Sequence, residues 1–127
     1  MDGTSYAPQA DGQPDPGEVV WSWVPYEEDP SQGKDRPVLV LAVLGSEVLA
    51  LPLTSIDHDR DTTQEAEEGR FWMDVGTGDW DRERRPSEVR LNRLLRLDAG
   101  DVRREGAALD PQTYAAVVEA ARAFHSL

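Results

Sequence analysis

Hydrophobic and polar positions alternate with a period of two from Glu18 to Val24: Val19, Trp21 and Trp23 share one side, Val20, Ser22 and Val24 the other. That period, with its β-branched and aromatic content, predicts a strand. Pro25 to Asp35 is polar and holds Pro30 and Gly33, as a loop does. Pro37 to Leu44 is apolar without interruption, the pattern of a strand buried on both faces. Pro37 is expected to begin that strand, because proline has no N–H for a central ladder. Gly45-Ser46 predicts a tight turn, with Glu47 to Leu53 returning as the hairpin partner.

Ser55 to Gly69 is polar and acidic, with a short helix expected around Thr63 to Glu67. Phe71 to Val75 reads as a strand, and Gly76-Thr77-Gly78 as a turn. Two short strands are expected at Ser87 to Leu91 and Leu94 to Leu97, and a last one within Val102 to Leu109 after a helical turn. Asp110 is suited to cap a helix with Pro111 at its first position. Tyr114, Val117, Val118, Ala121 and Phe124 then recur on one helical face. Many short strands and one terminal helix predict a mainly β (α+β) fold. Its form is an SH3-like small barrel, or strongly bent antiparallel sheet, with the C-terminal helix packed on it. Residues 1–16 have little to bury and carry Asp2, Asp11 and Asp15, so they read as a disordered acidic tail. Residues 17–127 read as a single domain.

Charge changes the picture of what this domain binds. The net charge is -12, from 25 acidic and 13 basic residues. Residues 1–69 hold 15 acidic and 3 basic side chains; residues 70–127 hold 10 of each. A tight nonspecific nucleic-acid binder shows a basic footprint, and this chain has none overall. Its Arg residues do cluster, at Arg82, Arg84 and Arg85, at Arg90, Arg93 and Arg96, and at Arg103 and Arg104. They suit either an RNA backbone or the neutralisation of the acidic first half. Cys is absent, which excludes disulfides and thiolate chemistry. No apolar run is long enough to span a membrane, and no secretory pattern opens the chain. The expectation is a soluble cytoplasmic protein.

The candidate chemistry lies where two strands end. Arg36 closes a polar loop just before the apolar run, and Thr54-Ser55 closes the returning strand. A guanidinium and a hydroxyl delivered to neighbouring strand ends suit a phosphate whose charge changes during reaction. Arg36 equally has Asp35, Glu28 and Asp29 within reach as ion-pair partners, and Thr54 can serve as a turn cap. His58, within Asp57-His58-Asp59-Arg60-Asp61, is either an acid–base group or part of a solvated loop. Trp21 and Trp23 suit base stacking, or a core or subunit interface. Trp80, in the Gly-rich turn, is expected to be more exposed than its fellow tryptophans.

Gly17-Glu18-Val19-Val20-Trp21, then Arg36-Pro37-Val38-Leu39-Val40, then Leu51-Pro52-Leu53-Thr54-Ser55 together resemble the MazF/PemK family of bacterial toxins. Ser87 to Asp98 is similar to that family's second strand pair, and the likeness covers about residues 17–125. The resemblance implies a homodimeric SH3-like barrel held inactive by a cognate antitoxin. It implies a metal-independent endoribonuclease that needs no cofactor. Such an enzyme cuts single-stranded RNA to a 2′,3′-cyclic phosphate and a 5′-hydroxyl. It places catalysis on Arg36 and Thr54. Gln32, Lys34, Ser55 and His58 flank them and are the expected RNA contacts. Two other readings stay open. The acidic balance suits a non-catalytic module on the same barrel that binds a basic protein segment. The Asp57 to Asp61 cluster suits a metal-dependent hydrolase.

Overall fold

Residues 14–55 and 69–126 are described by the computed structural model, and they form seven strands, one 3-10 turn and one α-helix. The strands are β1 (Glu18–Pro25), β2 (Gly33–Leu44), β3 (Glu47–Ser55), β4 (Trp72–Gly76), β5 (Ser87–Arg90), β6 (Leu95–Asp98) and β7 (Arg103–Ala108). The 3-10 turn Ala99–Asp101 precedes β7, and helix α1 (Pro111–Ala121) follows it. The expected helix at 63–67 lies outside the described residues.

All strand pairs are antiparallel, in the order β4-β5-β3-β2-β1-β7. The edge of β3 away from β2 is shared: β6 pairs with residues 47–50 and β5 with residues 53–55. The sheet curls into a half-barrel, in agreement with the SH3-like expectation. The β2–β3 hairpin turns through Gly45, whose φ of 65° is the left-handed conformation that a two-residue turn needs.

Why β2 is apolar from Pro37 to Leu44, and β3 from Val48 to Leu53, follows from their two faces. Leu39, Leu41, Leu51 and Leu53 join one core, with Val75, Trp80, Val89 and the helix residues Tyr114, Val117, Val118 and Ala121. Val38, Val40, Val48 and Ala50 alternate with them into a second core, with Val20, Val24 and Leu95. Each fully buried Leu or Val contributes roughly 1.5–3 kcal/mol relative to exposure, so this hairpin is the main hydrophobic anchor of the fold.

Helix α1 begins where Asp110 accepts hydrogen bonds from the N–H groups of Gln112 and Thr113, both at 3.1 Å. Tyr114 is buried and donates its hydroxyl proton to the Leu41 carbonyl at 2.9 Å, which ties the helix to β2. Phe124, expected on the buried face, lies past the helix end and is exposed, with its ring 5.1 Å from that of Phe71.

Two further expectations are corrected. Strand β2 begins at Gly33, four residues ahead of Pro37. The proline is tolerated inside it because β3 stops pairing with β2 at Val38↔Pro52. At Pro37 only β1 is a neighbour, and a missing N–H costs nothing on the open side. Trp80 is buried instead of exposed. Gly78 has no side chain to clash with its ring, and its indole N–H donates to the Ser87 hydroxyl at 3.2 Å.

Candidate functional site at the open end of the hairpin

Strands β2 and β3 part after Val38↔Pro52. Beyond that pair β2 continues against β1, while β3 crosses to β5. Arg36 and Thr54 each lie two residues past it, Arg36 opposite Ser22 of β1 and Thr54 opposite Glu88 of β5. Pro37 and Pro52, with no N–H to extend the ladder, flank the opening between the strands.

A depression of about 340 Å³ fills that opening, lined among others by Lys34, Arg36, Leu53, Thr54, Asp81, Arg85 and Ser87. A water occupies ~30 Å³ of liquid, so the space is that of roughly ten waters, enough for one phosphate and its sugar. Arg36 also lines a neighbouring depression of about 440 Å³ with Tyr26, Arg70, Trp72, Arg90 and Arg93, and so stands at their junction.

Some cations around the site are engaged by carboxylates. Arg90 is buried and pairs with Glu27 through both amino groups, at 3.0 and 3.3 Å. Its Nε donates to Asn92 at 2.8 Å, and its guanidinium lies 5.9 Å from the Trp72 ring centroid. The hydrogen bond from Arg90 holds the Glu27 carboxyl below its ordinary value, against the upward push of burial. Burial lowers the Arg93 guanidinium, as do the positive charges of Arg90 and Arg36, while Glu27 and Glu28 oppose them. Arg93 donates to the Pro25 carbonyl at 2.6 Å. Arg36 differs: among the described residues no carboxylate pairs with it. The same holds for Lys34. Asp35, a candidate partner by sequence, pairs with Arg103 at 3.1 Å.

The far wall is the loop between β4 and β5. Trp21 donates its indole N–H to the Trp80 carbonyl at 3.1 Å, and Trp80 donates to Ser87, which braces the loop against β1 and β5. Asp81 accepts from the Glu83 N–H and from Arg85 Nε, both at 2.9 Å. Burial pushes the Asp81 carboxyl upward, and those two hydrogen bonds still hold it below its ordinary value. Asp81 in turn raises the Arg85 guanidinium through that bond.

The family profile for PemK-like, MazF-like toxins of type II toxin–antitoxin systems matches residues 15–125. The chain belongs to this toxin family. No curated protein sequence matches it significantly. Among solved structures, the crystal structure of MazE–MazF from Deinococcus radiodurans is similar, with a TM-score of 0.52 and 21% identity. The match covers 89% of this chain and 92% of that one, and it shows that the MazF-like fold is shared. No helix among the described residues is long and apolar enough to cross a membrane.

In this PemK-like chain the expected site residues are dispersed in part. Lys34, Arg36 and Thr54 line one depression. Gln32 is exposed in the β1–β2 loop, where its backbone closes the turn by accepting from Tyr26 N–H at 2.8 Å. Ser55 lies opposite Ser87 at the end of the β3–β5 ladder. His58 and the Asp57 to Asp61 cluster lie outside the described residues. Among the described residues, five of the eight clustered Arg residues pair with acids of the same chain: Arg90 with Glu27, Arg96 with Glu47 and Arg103 with Asp35 across long sequence distances, Arg84 with Asp79 and Arg85 with Asp81 locally. Asp81 and Arg85 were not singled out as a pair by the sequence. Their spacing of four, just ahead of Pro86 and β5, was the available signal.

Proposed function

We propose that this PemK-like toxin is an endoribonuclease acting on single-stranded RNA. The observation that carries the reading is the meeting of Arg36, Lys34 and Thr54 at one opening, with no carboxylate on either cation among the described residues. The RNA's own 2′-hydroxyl is the nucleophile, which restricts the substrate to RNA. Its oxygen forms a bond to phosphorus as the bond to the 5′-oxygen breaks. A proton leaves the 2′-hydroxyl, and one is delivered to the leaving oxygen. The products are a 2′,3′-cyclic phosphate and a 5′-hydroxyl.

The protein's task is then alignment and charge. Arg36 donates a planar pair of N–H groups to the phosphate oxygens as their charge grows. Thr54 orients the phosphate or the 2′-hydroxyl by hydrogen bonding. Lys34 adds local positive charge to a chain that is acidic overall, and Ser55 and His58, which follow Thr54 in sequence, are further RNA contacts. Because Arg36 supplies the charge, the step needs no metal ion. The reading includes a homodimer and a cognate antitoxin, supported by the family and by the MazE–MazF relative.

The test is incubation of purified protein, free of any partner, with a mixed RNA pool in excess chelator, followed by sequencing of new 5′-hydroxyl ends. Ends sharing a short motif are expected, with Arg36→Ala lowering the rate by roughly 10²–10³, the cost of losing one transition-state donor. The active preparation is expected to sediment at twice the 14.1 kDa chain mass. One observation bears on a non-catalytic module: Asp35, Asp79, Asp81 and Glu83 outnumber Arg82, Arg85 and Arg103 in the lining of a depression of about 610 Å³ beside the site. Co-purification of a basic peptide, with no new RNA ends, would decide for that module.

A further inference from the structure

We infer that Arg85 is a second guanidinium acting on the reacting phosphate, and that Asp81 is the positioning residue that holds it there. This rests on the ribonuclease reading above and extends it to the loop between β4 and β5.

Arg85 and Asp81 line the same depression as Arg36 and Thr54, from the opposite wall. The loop that carries them is built to be fixed. Trp80 is buried in the core, bonded to Trp21 on one side and Ser87 on the other. Asp81 then organises the chain that follows: its carbonyl accepts from Arg84 N–H at 2.9 Å and its carboxylate from Glu83 N–H. Arg84 takes a φ of 50°, the left-handed conformation, to complete the turn. That conformation is uncommon for a side chain other than glycine, and the surrounding bonds hold it.

The way Arg85 is held points to its use. Among the described residues, its one side-chain hydrogen bond runs from Nε to Asp81 at 2.9 Å, and Nε is also its nearest atom to Glu83, at 3.4 Å. Its two terminal amino groups donate no hydrogen bond there, and the side chain is 55% exposed. A guanidinium gripped at Nε keeps two parallel N–H donors on its amino groups, which match two oxygens of a tetrahedral phosphate. In Arg90, by contrast, both amino groups and Nε are already taken by Glu27 and Asn92. Two guanidinia facing one phosphate match the extra negative charge that it gains on attack by the 2′-oxygen, so the effect belongs to the chemical step. Lysine cannot do both jobs, because one ammonium cannot satisfy Asp81 and present a fork.

The experiment is single-turnover cleavage of an RNA oligonucleotide carrying the site found in the pool, at saturating protein, with affinity measured in parallel. Arg85→Ala is expected to slow the cleavage step at least ~10²-fold with less than ~10-fold loss of affinity. Arg85→Lys is expected to stay well below the original rate, and Asp81→Asn to slow cleavage while leaving affinity nearly unchanged. Arg122→Ala, which removes an exposed ion pair with Glu119 on the helix and outside the depression, serves as the charge control and is expected to cleave normally. Cleavage by Arg85→Ala within threefold of the original overturns the inference. An equal fall in Arg122→Ala does so too, since it reports only net charge. If Arg85→Ala fails to fold by circular dichroism, Arg85→Lys decides: original speed overturns the inference. Cleavage lost in Arg36→Ala but normal in the Arg85 variants defeats this inference alone. No cleavage by the unaltered protein defeats it together with the ribonuclease reading.

Discussion

Pairing state separates one arginine from another in this molecule. Arg90 and Arg103 are bound to Glu27 and Asp35, whereas Arg36 has no carboxylate among the described residues. A guanidinium whose amino groups are both bound to a carboxylate has already spent its fork, so one with free amino groups is the better phosphate ligand. Tyr114 is a second residue whose surroundings set its behaviour. Burial pushes its hydroxyl up to about 12, against the opposing charge of Arg122. Below pH 10 the folded and unfolded chains both keep that proton. Between pH 10 and about 12 only the unfolded chain loses it, so stability falls as pH rises through that window, by up to ~1.4 kcal/mol per unit, and then levels. Tyr114→Phe is expected to remove this part of the alkaline decline. It is also expected to lower stability at pH 7 by about 1 kcal/mol, through the unsatisfied Leu41 carbonyl. Urea unfolding of both proteins from pH 8 to pH 12 measures the difference.

Elements converge on the site through where they stop pairing. The β2–β3 ladder ends at Val38↔Pro52, and everything chemical lies just past it. The start of β2 must therefore be held by β1 alone, through Pro25↔Gly33 and Val24↔Lys34. Gly33 permits that approach. A Cβ there would meet the Val24 carbonyl, come within 2.7 Å of the Trp23 ring and lie 2.9 Å from the Pro25 Cα. Two of those neighbours are backbone and cannot step aside. Gly33→Ala is expected to cost about 2 kcal/mol, in the range of overpacked sites. It is also expected to lower RNA cleavage, since Lys34 and Arg36 follow on the displaced strand. A melting temperature and cleavage rate both equal to the original would show that this end of β2 is not held as described.

For the whole molecule, charge sets the approach of substrate. With a net charge of -12, the long-range field repels RNA, and among the described residues Lys34, Arg36 and Arg85 are the cations that line the proposed site. Neutralising about three phosphates of a single strand gives a slope of log affinity on log salt near -2. Screening of the overall repulsion by added salt opposes it and flattens it further. The expected slope for an RNA oligonucleotide is thus shallower than -2. A slope steeper than about -4, measured by fluorescence anisotropy from 50 to 300 mM salt, would require an extended basic track that the described surface does not have.

Much of this architecture was legible in the chain. The period-two pattern of β1, the unbroken apolar run of β2, the Gly45 turn and the Asp110 cap are local signals, and each produced its element. Arg36 and Thr54 stood out because a polar loop and an apolar run change over at them. The start of β2 and the burial of Trp80 were misread for one reason: both depend on a neighbour supplied by distant chain. Pro37 is tolerated because β3 has already left, and Trp80 is buried because Gly78 and Ser87 receive its ring. The sequence by itself determined which segments become strands and which residue types end them, because backbone preference and hydrophobic period act over a few residues. Only the tertiary structure decided which arginines are neutralised and which face the opening. Ion pairs such as Arg90–Glu27 join residues far apart in sequence, and no local pattern records them.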